Sequence, residues 1–234
     1  IAPQDDTIYN INNNLETKVA LWFKTKNVSP ITPTITGTVA DWKSAGSDEG
    51  TNLGVSNPTF TYTDSSVEHL VTADNFDPLN CRTLKIQSAV YGVLDVSSLQ
   101  EIVSLDLRFN AGLTEIIGME QLSNITNFIF VNSCKLTGFL QLPVAFTGNA
   151  LSFNSNPLLT GLSSLSSFIN MNSLVGYGCA LDQTTVDMIF NDTDANGVSN
   201  GSITVAGGTS SAPSVASDTA RTNLIAKGWT LVYN

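Results

Sequence analysis

Residues 102–113 read IVSLDLRFNAGL, and two similar stretches follow, ITNFIFVNSCKL at residues 125–136 and GNALSFNSNPLL at residues 148–159. Each places two apolar residues two positions apart, then a polar residue, then another apolar residue. A weaker copy occupies residues 171–181, and an earlier one starts at Leu84. The differences between the first apolar strand positions are 21, 23, 23 and 23 residues, taken over residues 84, 105, 128, 151 and 174. This recurrence predicts one short strand in each turn of a coiled chain.

Stacking of these strands explains why the spacing is regular. A single strand cannot bury its apolar side, so neighbouring turns pair about 4.8 Å apart as a parallel ladder. Alternation along a strand points Leu105 and Leu107 into the stack. We therefore expect one shared interior that contains Leu105, Phe128, Leu151 and Leu174.

Polar residues follow the strands at a fixed place. Asn110 and Asn156 each come three residues after the second apolar strand position. We expect both side chains to turn inward and to satisfy backbone groups at the strand ends. Loss of one such buried arrangement costs on the order of 1–3 kcal/mol.

Residue types and period together resemble the leucine-rich-repeat family, whose repeats are about 20–29 residues long. The resemblance covers residues 81–181. It implies a solenoid with a parallel β ladder.

Residues 5–26, DDTIYNINNNLETKVALWFKTK, are predicted to form a helix. The acidic start and basic end suit the helix dipole, and the prolines of residues 29–34 prevent continuation. The apolar stripe of this helix consists of Ile8, Ile11, Leu15, Val19 and Trp22. The stripe either packs on the helix's own domain or anchors the chain on another subunit, and the sequence leaves both interpretations open.

Residues 30–80 contain short strand and turn signals. Asp41-Trp42 is followed by the turn Gly-Ser-Asp-Glu-Gly at residues 46–50 and then by NPTFTY at residues 57–62, which alternates as a half-buried strand does. This order resembles the PKD-type β-sandwich module, although Phe60 stands where that family has His. The segment is short for a full sandwich, which indicates a reduced or merged PKD-like or Ig-like module.

Residues 182–234 depart from the repeat. They predict a helix that is capped at Asp182 and ends near Gly197, a strand within residues 201–208, a second helix through Lys227, and a final strand at residues 229–233. Such a tail is expected to cover the open end of the stack. It resembles the tail of leucine-rich-repeat proteins of Bacteroidetes phages and prophages, a resemblance that implies a virion component.

The predicted fold class is therefore α+β. A leucine-rich-repeat solenoid at residues 81–181 is preceded by an N-terminal helix at residues 1–29 and a small β module at residues 30–80. A β-α-β capping region at residues 182–234 closes it.

Composition excludes several classes of function. The net charge is −10 and charged residues make up 13% of the chain, so a basic face for nucleic acid or an anionic membrane is not expected. No apolar run is long enough for membrane insertion. The three cysteines lack paired spacing and are predicted to be buried core residues, with no metal site.

Sequence patterns for catalysis are weak. His69 is the single histidine and no nucleophile-elbow motif accompanies it, so we predict no catalytic residues, no cofactor and no enzyme activity. Paired carboxylates for glycan cleavage remain an alternative. Asp192-x-Asp194-x-Asn196-Gly197 matches the start of a calcium loop, but Ile203 occupies the position of the bidentate Glu, which favours a helix end over a calcium site.

The outward positions of the ladder are the predicted binding surface. Apolar residues there indicate a contact site, unless a loop or the β module covers them. The residues are Asp106, Arg108, Ile129, Val131, Ser152, Asn154, Val175 and Tyr177.

The sequence thus predicts a virion protein, a fibre, tail or capsid-decorating component that displays a surface for host attachment. Its expected partners are other virion proteins through the N-terminal helix, a host receptor or glycan, and further copies of itself. The alternative is a secreted or cell-surface bacterial leucine-rich-repeat adhesin.

Overall fold

A computed structural model describes residues 21–26, 30–44, 51–66, 68–74 and 80–234. The described strands, in chain order, are β1 (Leu21–Thr25), β2 (Thr34–Thr36), β3 (Ala40–Ser44), β4 (Thr51–Val55), β5 (His69–Asp74), β6 (Thr83–Lys85), β7 (Tyr91–Asp95), β8 (Ser104–Asp106), β9 (Gly112–Ile117), β10 (Phe128–Phe130), β11 (Thr137–Leu140), β12 (Ala150–Ser152), β13 (Leu158–Leu162), β14 (Ser173–Val175), β15 (Ser202–Thr204) and β16 (Thr230–Val232). The helices are α1 (Gln183–Ala195) and α2 (Asp218–Ala226), with short 3-10 turns at Met119–Gln121 and Val215–Ser217.

The main feature is a mostly β solenoid built on an eight-stranded sheet in the order β16-β15-β14-β12-β10-β8-β6-β2. Every pairing from β6 to β16 is parallel and in register, and β2 closes the other end in antiparallel orientation. One buried column runs through the centres of these strands. It consists of Leu84, Leu105, Ile129, Leu151, Leu174 and Ile203.

The predicted register is wrong in one turn. Ile129, not Phe128, pairs with Leu105 and is fully buried. A shift of one residue moves every side chain of a strand to the opposite face, so Phe128 and Phe130 lie on the outer face. Val131 is also buried, on the same side as Ile129.

A second layer closes each turn of the solenoid. β7 and β9 pair in parallel at the edge of a six-stranded sheet, and β11 and β13 form a separate parallel pair. In the last turns α1 and α2 take the place of these strands. β15 and β16 continue the main ladder. The C-terminal region therefore adds turns to the stack, whereas the sequence predicts that it lies across the open end.

The predicted elements of the C-terminal region are otherwise confirmed. Asp182 caps α1 by accepting a hydrogen bond from the backbone N–H of Thr185 at 2.7 Å. Gly197 and Gly228 have positive φ just beyond the two helices, as expected for residues that end helices.

The N-terminal helix is not confirmed. Four residues of its apolar stripe, Ile8, Ile11, Leu15 and Val19, lie outside the described residues. Trp22 belongs to strand β1, which pairs with both β5 and β7. Burial alternates along Leu21–Thr25, as it does in a strand. Pairing with a strand on each side favours this conformation over the helix that the local apolar spacing predicts.

The β segment merges with the solenoid. β1, β3, β4 and β5 join β7 and β9 in the six-stranded sheet, and β2 pairs with β6. Trp42 is fully buried and its indole N–H donates to the carbonyl of Val55 at 3.1 Å. The predicted strand around Phe60 reduces to a single bridge with Ile31, although burial alternates there.

A buried column of small and polar residues lies just after the ladder strands. Asn110 donates to the carbonyls of Ile86 and Leu107, both at 2.7 Å, and accepts from the N–H groups of Ala89 at 2.7 Å and Val90 at 2.8 Å. The predicted inward role of this asparagine is therefore confirmed.

Cysteine fills the same place in alternate turns. Asn156 repeats the arrangement of Asn110, whereas Cys134 and Cys179 each direct a thiol at a carbonyl 3.3 Å away. All three cysteines, including Cys81, are free and buried, as predicted. Burial raises the pKa of the Cys134 thiol to about 12.

Candidate ligand-binding face

The candidate site is the outer side of the main sheet, here called the ladder face. It consists of the outward side chains of the strands from β6 to β16 and of the residues that follow each strand. Alternation of the backbone places these side chains in columns that cross the sheet. One column, in order of the strands, is Lys85, Asp106, Phe130, Ser152, Val175, Thr204 and Val232.

Three phenylalanines and one arginine gather at one part of this face, and we call Arg108, Phe109, Phe128 and Phe130 the aromatic cluster. The rings of Phe128 and Phe130 stack with centroids 4.5 Å apart and planes inclined by 16°. The guanidinium of Arg108 lies 5.1 Å from the centroid of Phe130 and 6.0 Å from that of Phe109. Such cation–π contacts fix the guanidinium against the rings.

Asp106 holds Arg108 in place. Arg108 donates Nε to Oδ1 at 2.9 Å and Nη2 to Oδ2 at 2.8 Å, and Gln87 donates to Oδ2 at 2.8 Å. Asp106 is 4% exposed, so it lies beneath the arginine and does not form part of the accessible surface. Its sequence-predicted place on the binding surface is thus wrong, because its side chain is covered by these partners.

The electrostatics of this pair are those of a fixed ion pair. Burial alone would raise the pKa of Asp106, but hydrogen bonds from Arg108 and Gln87 and the charge of Arg108 lower it below its ordinary value. The same contact raises the pKa of Arg108. The carboxylate therefore stays ionised and compensates the charge of the guanidinium.

Phe109 combines exposure with backbone strain. Its side chain is 52% exposed, and its φ of 65° lies in the left-handed region. A bulky residue is an outlier there and costs on the order of 1 kcal/mol relative to glycine. The corresponding positions in other turns have positive φ as well but hold small residues, namely Ser88, Ser133, Ser155, Gly178 and Gly207.

The far part of the face is polar with a few apolar groups. Tyr177 is 46% exposed, Val175 is half-buried, and Ser152 donates to Asn154 at 2.8 Å. Asn154 itself is buried. Of the eight residues predicted for the binding surface, Arg108, Ser152, Val175 and Tyr177 have exposed or half-buried side chains on the ladder face.

The predicted surface positions of Ile129 and Val131 are wrong. Both were expected on the surface, and both are fully buried in the core. The cause is the one-residue shift in β10, which places Phe128 and Phe130 on the outer face in their stead.

The side chains of the calcium-loop motif form hydrogen bonds with other parts of the protein. Asp192 accepts from Ser164 and from the N–H of Leu165, both at 2.7 Å. Asp194 accepts from Lys227 at 2.6 Å, and Asn196 donates to the carbonyl of Leu165 at 2.9 Å. These side chains tie the end of α1 to neighbouring segments. Across the described residues, no cluster of His, Cys, Asp or Glu suited to a metal ion is found.

Other candidate features are local. His69 stacks on Tyr62 with ring centroids 4.2 Å apart, and its Nε2 lies 2.9 Å from the carbonyl oxygen of Asp64. A groove between β9 and β11 is lined by residues that include Glu115, Thr137 and Phe139.

In the described part of the chain, neither helix has the length and apolar character needed to cross a membrane.

Comparison with protein-family models, with curated proteins and with solved structures finds no match for this chain. The ladder face and its aromatic cluster therefore carry the functional argument.

Proposed function

We propose that this chain is a non-enzymatic display protein whose ladder face binds a ligand at a host surface. The observation that carries the proposal is the aromatic cluster, in which the exposed and strained Phe109 stands beside Arg108 and two stacked rings. Aromatic residues, phenylalanine among them, and arginine are enriched at binding interfaces. The fold requires the left-handed backbone at this position in every turn, but it does not require a bulky exposed ring there, and this favours a functional reason for Phe109.

Rigidity of the support strengthens this proposal. Arg108 is fixed by two hydrogen bonds to a buried carboxylate, and the strand beneath it is paired on both sides. A group held in this way loses little conformational entropy when a ligand binds. The face is therefore preorganised for contact.

The finer part of the proposal is that the solenoid is of the leucine-rich-repeat type. Core positions 84, 105, 129, 151 and 174 are 21, 24, 22 and 23 residues apart, which lies within the period of that family. The buried column that contains Asn110 and Cys134 also agrees with the family pattern, in which Asn or Cys follows the strand.

We further propose that the protein is a fibre, tail or capsid-decorating component of a phage particle and contributes to host attachment. The support is the sequence resemblance of residues 182–234 and the low content of charged residues. Mass spectrometry of gradient-purified, washed particles tests this placement. The chain is expected at constant stoichiometry, and its loss on washing would contradict the placement.

The alternative is a secreted or cell-surface bacterial adhesin with the same ladder face. Limited surface proteolysis and immunolabelling of intact bacteria discriminate the two. Labelling of uninfected cells, together with absence from particles, would favour the adhesin.

Binding itself is tested with matched variants. Phe109→Ser places the residue found at Ser133 and Ser155 in the same left-handed position, so the fold is expected to tolerate it. Phe139→Ser is the control, since Phe139 is 56% exposed but lies outside the ladder face on β11. Fluorescently labelled Phe109→Ser is expected to lose binding to host cells, whereas Phe139→Ser keeps it. Equal binding by both variants would contradict the proposal.

A further inference from the structure

Building on the proposed function, we infer that the ligand of the ladder face is an uncharged carbohydrate. Three features of the face carry this inference: the absence of charged side chains from β10 to β16, the polar groups there and the partly exposed aromatic rings.

The first feature is a separation of charge. The chain has a net charge of −10, yet the outward positions from β10 to β16 contain no Asp, Glu, Lys or Arg. These positions hold Phe128, Phe130, Asn132, Ala150, Ser152, Asn154, Ser173, Val175, Tyr177, Ser202, Thr204, Ala206, Thr230, Val232 and Asn234. Next to them Arg108 is compensated by Asp106. A charged ligand gains no attraction from such a surface, and an uncharged one meets no unpaired charge to desolvate.

The second feature is the chemistry of the polar groups. Hydroxyl and amide side chains both donate and accept hydrogen bonds, as the hydroxyl groups of a sugar do. In-register pairing repeats these groups every 4.8 Å or so across the sheet, because that is the spacing of neighbouring strands. Ser152 donates to the buried Asn154 at 2.8 Å, which fixes the orientation of the Ser152 hydroxyl group.

The third feature is the aromatic surface. Phe128 and Phe130 are half-buried, so they present limited apolar area between polar neighbours, while Phe109 and Tyr177 are 52% and 46% exposed. A pyranose ring has an apolar C–H face and a polar rim, which matches rings surrounded by amides and hydroxyls. A protein partner instead needs a contiguous apolar core of several hundred square ångströms.

Treated host cells separate the ligand classes. The labelled wild-type chain is applied to intact cells, to cells oxidised with periodate, which cleaves vicinal diols, and to cells digested with proteinase K. Binding is expected to fall at least about tenfold after periodate and to survive protease. Phe109→Ser is expected to fall by a similar factor on intact cells, as for a hot-spot aromatic.

Ionic strength tests the absence of charge. Binding is expected to change less than about twofold between 50 mM and 500 mM NaCl, because screening acts on charged partners. Binding that survives periodate but not protease, or that falls steeply with salt, overturns the inference and leaves the proposed function intact. Absence of binding to any host cell contradicts the proposed function itself.

Discussion

The buried asparagine of the first complete repeat offers the sharpest test of how the solenoid is held together. Asn110 is 1% exposed and makes four hydrogen bonds to backbone groups of its own turn and the turn before it. In Asn110→Ala the methyl group cannot replace any of these bonds. Two carbonyls and two N–H groups then stay buried without this partner.

The magnitude follows from those four groups, of which the carbonyl of Leu107 keeps a weak hydrogen bond from the Cys134 thiol at 3.3 Å. Each buried backbone group left unsatisfied costs on the order of 1–3 kcal/mol, and relaxation or an entering water recovers part of the sum. We therefore expect a loss of about 3–5 kcal/mol in the free energy of unfolding. This is a large share of the roughly 5–15 kcal/mol that stabilises a typical protein.

Urea unfolding followed by circular dichroism measures this loss. The matched control is Asn170→Ala, because Asn170 is exposed and donates one bond, to the carbonyl of Thr147 at 3.2 Å. The control is expected to lose less than about 1 kcal/mol. A loss in Asn110→Ala that is no greater than in the control would show that these hydrogen bonds do not hold the two turns together.

Three further predictions concern packing, pH and thiol reactivity. A Cβ on Gly176 would lie 2.2 Å from the ring of Phe153, so Gly176→Ala is expected to lower the free energy of unfolding by about 1–3 kcal/mol. Phe153→Leu in the same chain should relieve part of this clash, and simple additivity of the two changes in a double-mutant cycle of urea unfolding would contradict it. Burial alone would raise the pKa of Asp187, but hydrogen bonds from Ser214 and Ser217 and the charge of Arg221 lower it, so its stabilising contribution is complete above the unfolded pKa of about 4 and is lost as pH falls through the folded pKa. The loss of unfolding free energy in Asp187→Asn should therefore shrink as urea unfolding is repeated at decreasing pH, and a deficit independent of pH would be inconsistent with this. Burial raises the pKa of the thiols of Cys81, Cys134 and Cys179 to about 11, 12 and 11, so a thiol reagent at pH 8 should react slowly with the native protein and quickly in urea. Rapid labelling of the native protein would count against the burial of these cysteines.

The ladder could be predicted from sequence because its period is carried by residue type. Alternation around Leu105 and Leu151 separates inward from outward residues without ambiguity. Residues 128–131 read FIFV, and a continuous apolar run cannot fix a register that depends on alternation. The available signal was Cys134, which takes the place of Asn110 and Asn156 and so identifies Ile129 as the core residue.

The N-terminal helix was predicted from local spacing, whereas pairing decided the strand. Residues 21–25 carry both a helical stripe and an alternating pattern, and the alternating one is satisfied by β5 on one side and β7 on the other. Long-range partners of this kind are not visible in a local pattern. The same limit explains why the β segment merged with the solenoid.

The outward positions of the ladder could be predicted only in part, and their role in binding stays a prediction. The ladder face was identified correctly as the outer side of the strands, yet Phe109 was missed because it lies just beyond its strand. Its left-handed conformation could be suspected from the small residues at the corresponding positions of other turns, such as Ser133 and Gly178. Phe109 departs from that rule.

The register of β10 decides both the core and the aromatic cluster, so it is the most direct test of the account. Urea unfolding of Ile129→Ala and Phe128→Ala compares the two neighbours. The free energy of unfolding is expected to fall by about 2–5 kcal/mol for the buried isoleucine and by about 1 kcal/mol for the stacked surface ring. A larger loss for Phe128→Ala than for Ile129→Ala would contradict the register and remove the aromatic cluster from the ladder face.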